Sequence, residues 1–185
     1  MTSMTTGPLP SAVLGYPVTH YSYVVEDLEK AIAFCAEALG AGPFFLFDNV
    51  EFDAIERPGG PAAFHHSAAL GQWGPIAIEL EQIDSIRPPE LAEVLAPHTP
   101  GINHSSCIVP DLDAASARLE QLGSPEFLSA RTGEFDLRFH DLPMLGHAVE
   151  LYRENDFVHS FFDVLREAAE GWDGSDPLRT ELPPL

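Results

Sequence analysis

The chain has 185 residues, 45% of them hydrophobic and 10% aromatic, enough for one compact domain or two small intertwined modules around a sizeable core. Its 29 acidic against 9 basic side chains give a formal net charge of −20, which excludes a surface built to attract nucleic acid or an anionic membrane. No apolar run reaches transmembrane length, no basic-then-apolar leader opens the sequence, and two cysteines, Cys35 and Cys107, make no disulfide framework, so a cytoplasmic protein with reduced core thiols is expected.

Residues 1–16, rich in Thr, Pro, Gly and Ser, read as a flexible N-terminal segment. Residues 20–25 alternate as a strand does, with His20, Ser22 and Val24 on one face. Asp27 then offers a carboxylate to the free N–H groups of a helix start. Leu28, Ala31, Ile32, Cys35 and Leu39 follow at helical spacing, and Gly40 stops the helix. Residues 43–47 predict a second strand that ends at an Asp48-Asn49 turn signal. Residues 51–57 extend it or form a short strand of their own, before the turn Pro58-Gly59-Gly60-Pro61. Residues 62–70 and 75–82 predict a third and a fourth strand. Residues 84–100 are proline-rich, with at most a turn or two of helix around 90–95, and read as a linker and a candidate pocket wall.

The opening pattern then returns. HYSYVVEDLEKAIAFCAEALG (20–40) and HSSCIVPDLDAASARLEQLG (104–123) each start with His, carry Ser two residues on, Val five on and Asp-Leu seven on, and end in Leu-Gly. The second copy predicts a strand at 102–109, a helix at 111–122 capped by Asp111, and strands near 126–130, at 134–141 and at 147–153. Both copies also close alike, on Ile78-Glu79-Leu80 and Val149-Glu150-Leu151. The chain is therefore read as two copies of one unit. Residues 17–83 and 101–153 form two βαβββ modules of an α+β fold, joined by the linker 84–100 and followed by a C-terminal helix and tail at 154–185. Phe157, Val158, Phe161, Phe162, Leu165 and Ala169 give that helix an apolar stripe, which covers its own domain, lids a pocket or meets a second copy.

Two such modules side by side make a curved mixed sheet, a cup whose matching positions converge on a pseudo-twofold axis. His20, Glu79, His104 and Glu150 are those positions, on the strand faces opposite the helices. A glutamate amid so apolar a strand needs solvent, a partner or a metal. Two neutral imidazoles and two carboxylates balance one divalent cation, and the mixed nitrogen and oxygen donors suit Zn, Ni, Co, Mn or Fe(II). His65 and His66 are adjacent on a strand, so one of them faces inward; His140 is a second candidate acid or base, and Glu51 and Asp53 are candidate bases.

These motifs resemble the vicinal oxygen chelate superfamily, the group of glyoxalase I, methylmalonyl-CoA epimerase, extradiol dioxygenases and bleomycin-resistance proteins. The resemblance covers residues 17–153 and implies metal ligands at His20, Glu79, His104 and Glu150, with one cation chelating two neighbouring oxygens of a small molecule. It implies metal-assisted proton transfer, as in an isomerase, epimerase or glyoxalase-type lyase, with Glu79 or Glu150 as the base and His66 and His140 as further catalytic candidates. Alternatives are an extradiol-type Fe(II) ring-cleaving dioxygenase and a non-catalytic small-molecule-binding protein. Glu79 stands where the epimerases tend to carry Gln, and no basic cluster suits glutathione or coenzyme A, so an apolar or aromatic substrate is expected. A homodimer is the expected assembly.

Overall fold

The computed structural model of the chain describes residues 11–96 and 101–184. Residues 1–10 of the expected flexible segment, 97–100 of the expected linker and the last residue lie outside the described residues. In chain order the elements are β1 (Ala12–Val13), β2 (Tyr16–Val24), α1 (Leu28–Phe34, continued by a π-type turn over Cys35–Leu39), β3 (Phe44–Val50), β4 (Ala54–Glu56), β5 (Ala63–Trp73) and β6 (Ile76–Arg87). After the short helix α2 (Ala92–Leu95) come β7 (His104–Val109), α3 (Leu112–Gln121), β8 (Glu126–Thr132), β9 (Phe135–Leu142), β10 (His147–Arg153), α4 (Asp156–Ala169) and β11 (Leu178–Arg179). The expected β-α-β-β-β order thus occurs twice.

One curved, unclosed sheet holds the strands in the order β11-β3-β5-β6-β2-β7-β10-β9-β8-β4, with β1 paired to β2. Its centre is the antiparallel pair β2 and β7, where His20 lies opposite Ser106 and Ser22 opposite His104. Outside them, β6 runs parallel to β2 and β10 parallel to β7, placing Glu79 beside Ser22 and Glu150 beside Ser106. The two modules therefore meet about a pseudo-twofold axis through the Tyr21–Ser105 pair, and the cup is assembled within one chain.

The helices form because the local signals agree. Asp27 accepts a hydrogen bond from the Lys30 N–H, Asp111 from Ala114 and Asn155 from Val158, each satisfying a free donor of the first turn. α1 lays Leu28, Ile32 and Cys35 on the convex face of the sheet, against Ala69, Ile78 and Leu80. α3 does the same with Leu112, Ala115 and Leu119 against Cys107, Val109, Val149 and Leu151. Each such aliphatic side chain contributes roughly 1.5–3 kcal/mol by leaving water. With the convex face covered, the alternate strand residues must point into the cup.

Four elements depart from the sequence reading. The described end of the segment expected to be flexible is instead strand, with β1 pairing Ala12 to Pro17 and Val13 to Tyr16. Residues 51–57 do not extend β3: β4 crosses to the far edge of the sheet and pairs antiparallel with β8, Ile55 opposite Ala130, so that residues 51–62 strap the two lips of the cup together. The tail after α4, for which no strand was expected, joins the sheet. Leu178 and Arg179 pair with Phe44 and Phe45 as an added edge strand, and the Trp172 ring lies against Gly42, whose φ of 130° and close approach leave no room for a side chain. Lastly, α4 reaches beyond its own module, where Val158 joins Leu137, Phe139 and Tyr152. Phe161 and Leu165 pack on Phe45, Ala68, Leu70 and Ala77, on the concave side of the first module. No helix among the described residues is long and apolar enough to cross a membrane.

Candidate metal centre

Strand parity and register deliver four polar side chains to one place on the axis. His20 comes from β2, Glu79 from β6, His104 from β7 and Glu150 from β10, all with under a tenth of their surface exposed. His20 Nε2 lies 3.3 Å from Glu79 Oε2 and 3.7 Å from Glu150 Oε2. His104 Nε2 lies 3.3 Å and 3.4 Å from the same two oxygens. The sequence-predicted quartet is thus brought together. His20, His104 and Glu150 present ligand atoms that all fall within 4.8 Å of one another, and Glu79, Glu81 and His104 form a second such trio.

The fit to a cation rests on the donor atoms. Two ligands each about 2.1 Å from one cation stand roughly 3.0–3.4 Å apart, close to the separations found. His104 Nε2 is buried and has no hydrogen-bond partner. Its other nitrogen, Nδ1, is 2.9 Å from Asn103 Oδ1, while Asn103 Nδ2 donates to the Leu95 carbonyl at 2.8 Å. Because the amide nitrogen must face that carbonyl, the amide oxygen faces the imidazole. Nδ1 then carries a proton toward Asn103, which leaves Nε2, facing the two carboxylates, as the nitrogen that would give up its proton to a cation. Burial by itself would lower the His104 pKa, but Glu150 and Glu79 outweigh it and hold the imidazole well above its ordinary value. For Glu79 burial pulls upward, and His104 and His20 overcome it, keeping the carboxyl far below the usual range. So many donors facing one point, with no Lys or Arg among them, suit a divalent cation of the Zn, Ni, Co, Mn or Fe(II) kind.

Several residues around this point went unassigned in the sequence. Ser106 Oγ donates to Glu150 Oε2 at 2.5 Å and lies 3.0 Å from His20 Nε2, so it fixes both. Its repeat mate Ser22 donates instead to Glu81, which stands one strand step beyond Glu79 on the cup face. Burial, then the charge of Glu79, push the Glu81 carboxyl up to about 8. Tyr152 holds the equivalent place in the second module, and burial with the neighbouring Glu150 charge keeps its phenol well above the ordinary value. Period two along β6 is the signal that could have singled out Glu81; nothing in the sequence marked Asn103.

The remaining candidates separate cleanly. His66 is the inward member of its pair, buried on the cup wall, whereas His65 faces out, 3.7 Å from Glu51 Oε1. Glu51 lies at the rim of the cup, while Asp53 accepts a hydrogen bond from Gly133 N and holds the strap. His140 is not in the cup. It pairs with Val149 and so shares that residue's convex face, with its ring fixed between the Ser124 carbonyl and Ser116 Oγ, both at 2.9 Å. That placement removes it as an acid or base for this site.

Beside the four donors opens a cavity of about 380 Å³, walled by residues of both modules, the strap and α4. The sequence model of the Glyoxalase/Bleomycin resistance protein/Dioxygenase superfamily matches residues 19–139, more than half of the chain. No curated protein sequence matches. Among solved structures, methylmalonyl-CoA epimerase from Mycobacterium tuberculosis shares 21% identity, with 82% of this chain and 96% of that one covered and a TM-score of 0.51. A hypothetical protein from Bacillus halodurans shares 15% identity over 75% of this chain and 94% of its own, with a TM-score of 0.49. A methylmalonyl-CoA epimerase in complex with methylmalonyl-CoA and NH4+ shares 16% over 76% and 96%, with a TM-score of 0.45. At such identities structural likeness speaks for the fold, and together with the sequence match it places this chain in the glyoxalase, bleomycin resistance protein and dioxygenase superfamily.

Proposed function

We propose that this protein is a divalent-metal-dependent enzyme that moves a proton on the carbon next to a carbonyl in a small apolar or aromatic substrate, as an isomerase, epimerase or glyoxalase-type lyase does. One observation carries the reading: His20, Glu79, His104 and Glu150, from four strands of two modules, bring imidazole nitrogens within 3.3–3.7 Å of carboxylate oxygens around one buried point. A cation held by these four would act as a Lewis acid on a substrate oxygen at the cavity edge. Ser106 anchors Glu150, whereas no hydroxyl among the described residues holds Glu79, so Glu79 is the carboxylate free to swing toward the substrate and take its proton.

Elemental analysis of the purified protein, combined with solvent-deuterium exchange into a candidate carbon acid, tests this. One equivalent of Zn, Ni, Co or Mn and exchange that falls at least a hundredfold in Glu79→Gln are expected. Stoichiometric iron with oxygen uptake on catechols would replace the reading by ring cleavage, and absence of stoichiometric metal would replace it by simple binding.

A further inference from the structure

The cavity's walls define which molecule it takes. Phe47, Phe52, Phe64, Phe135, Phe139 and Phe161 surround the space, and no Lys or Arg lines it. Of the cations whose pairing is defined, Arg138, Arg153 and Arg166 are held by Asp113, Asp136 and Asp163, on the surface and the convex face. The rim carries Asp48, Glu51 and Glu134, so an anionic group outside the metal's reach meets like charge and no counter-charge. A volume near 380 Å³ lies at the small end of ligand sites, enough for a molecule of one or two rings.

His66 is the second observation. It is 7% exposed, lies on the cavity wall, and its Nδ1 has no hydrogen-bond partner. Its ring is stacked on Phe64, with centroids 4.4 Å apart and planes 6° from parallel, and Phe52 lies 5.9 Å away. Burial lowers its pKa, so the ring is neutral at physiological pH and offers a donor and an acceptor without charge. An unpaired buried imidazole in an aromatic stack costs stability unless something completes it.

We propose that the cavity binds an uncharged, ring-bearing molecule, with its ring among the phenylalanines and a polar group received by His66, and that it rejects coenzyme A and glutathione conjugates. This rests on the proposed metal-centred reading for where the reacting oxygens lie, and it departs from the structural neighbours named for a coenzyme A ester.

Calorimetric titration of the full chain with phenacyl alcohol, hydroxyacetone and coenzyme A tests the proposal. Phenacyl alcohol is expected to bind at least about tenfold tighter than hydroxyacetone, since only it buries a ring. Coenzyme A is expected to show no saturable binding. His66→Leu is expected to weaken phenacyl alcohol about three- to tenfold, the range of one hydrogen bond. Ala68→Phe, which fills the cavity beside α4, is expected to abolish binding. Coenzyme A binding tighter than phenacyl alcohol, a ring preference below about twofold, or no effect of either variant overturns the proposal. Where Ala68→Phe fails to fold, the His66→Leu arm decides. A separate zinc titration distinguishes the two readings: ring preference without stoichiometric metal removes the metal centre and leaves the cavity assignment standing.

Discussion

Asn103 offers the sharpest test of how the quartet is held. Its amide is fixed at both ends, to Leu95 O at 2.8 Å and to His104 Nδ1 at 2.9 Å, and its backbone N–H donates to Ser22 O. Asn103→Leu removes the acceptor that keeps the proton on Nδ1. The next acceptor is Glu81 Oε1, 3.6 Å from Nδ1 and already engaged by Ser22. The imidazole then loses its fixed tautomer and orientation, and losses of this kind weaken metal affinity about 10- to 100-fold, or roughly 1.4–2.7 kcal/mol. The leucine also leaves the Leu95 carbonyl without its donor, at about 1–3 kcal/mol of stability. Zinc affinity by chelator competition, with thermal unfolding of the metal-free protein alongside, separates the two effects. Asn103→Asp restores an acceptor for Nδ1 but not a donor for Leu95, so it should recover metal affinity while remaining destabilised. Zinc affinity within twofold of wild type in Asn103→Leu, with the fold intact, would show that the amide does not set the imidazole.

Three other outcomes follow from the packing and the titrating groups. Leu165 is fully buried between α4 and the concave strands, so Leu165→Ala should cost about 2–5 kcal/mol and lower the Tm by roughly 4–20 °C. His66 is held neutral by burial, so its folded pKa lies below the unfolded value of about 6.5. The unfolded chain then takes up a proton that the folded one refuses. His66 thus favours the fold fully above that pH and loses its contribution as pH falls, and His66→Leu should gain Tm relative to wild type between pH 8 and 5. Cys107 is buried beneath α3, and burial with the Glu150 charge pushes its thiol up to about 12, while burial alone raises Cys35. Neither should react with iodoacetamide at pH 8 until the protein unfolds; mass spectrometry of the native protein reads this directly.

What the sequence revealed and what it hid divide along a physical line. Short-range signals were legible: Asp27 and Asp111 as caps, the alternation in β2 and β7, and the span of β10, found at the residues expected. The repeat supplied the long-range step, since one module's placement of His and Glu fixed the other's, and the four donors converge. Strand existence was legible even where register was not. β9 was expected, but its pairing of Val149 with His140 turns that histidine outward, and no local pattern announces a pairing partner. β4 and β11, of three and two residues, owe their conformation to strands far away in sequence, so their own residues carry little signal. α4 was read correctly as an amphipathic helix, but which surface its stripe seeks depends on where the concave face leaves apolar area uncovered.

Symmetry explains the quartet, and its breaking explains the cavity. The duplicated strands alone would leave an open groove, equal on both sides of the axis. Two differences between the halves prevent this. At the step beyond Glu79 the first module has Glu81, and beyond Glu150 the second has Tyr152, a carboxyl set against a ring. On the concave face the first module has Ala68 and Leu70, beside which Phe161 of α4 packs, where the second has the larger Leu137 and Phe139. Helix α4 therefore seats Phe161 and Leu165 on the first module and Val158 against the second, and stacks Phe162 against His20, with centroids 5.7 Å apart. The space that remains is lined by rings from both halves and by Glu79, His104 and Glu150 of the quartet. A substrate must enter past the rim and approach the axis from one direction. A molecule in that space would meet a carboxyl on one side and a ring on the other, a difference that a symmetric pair of modules could not have imposed.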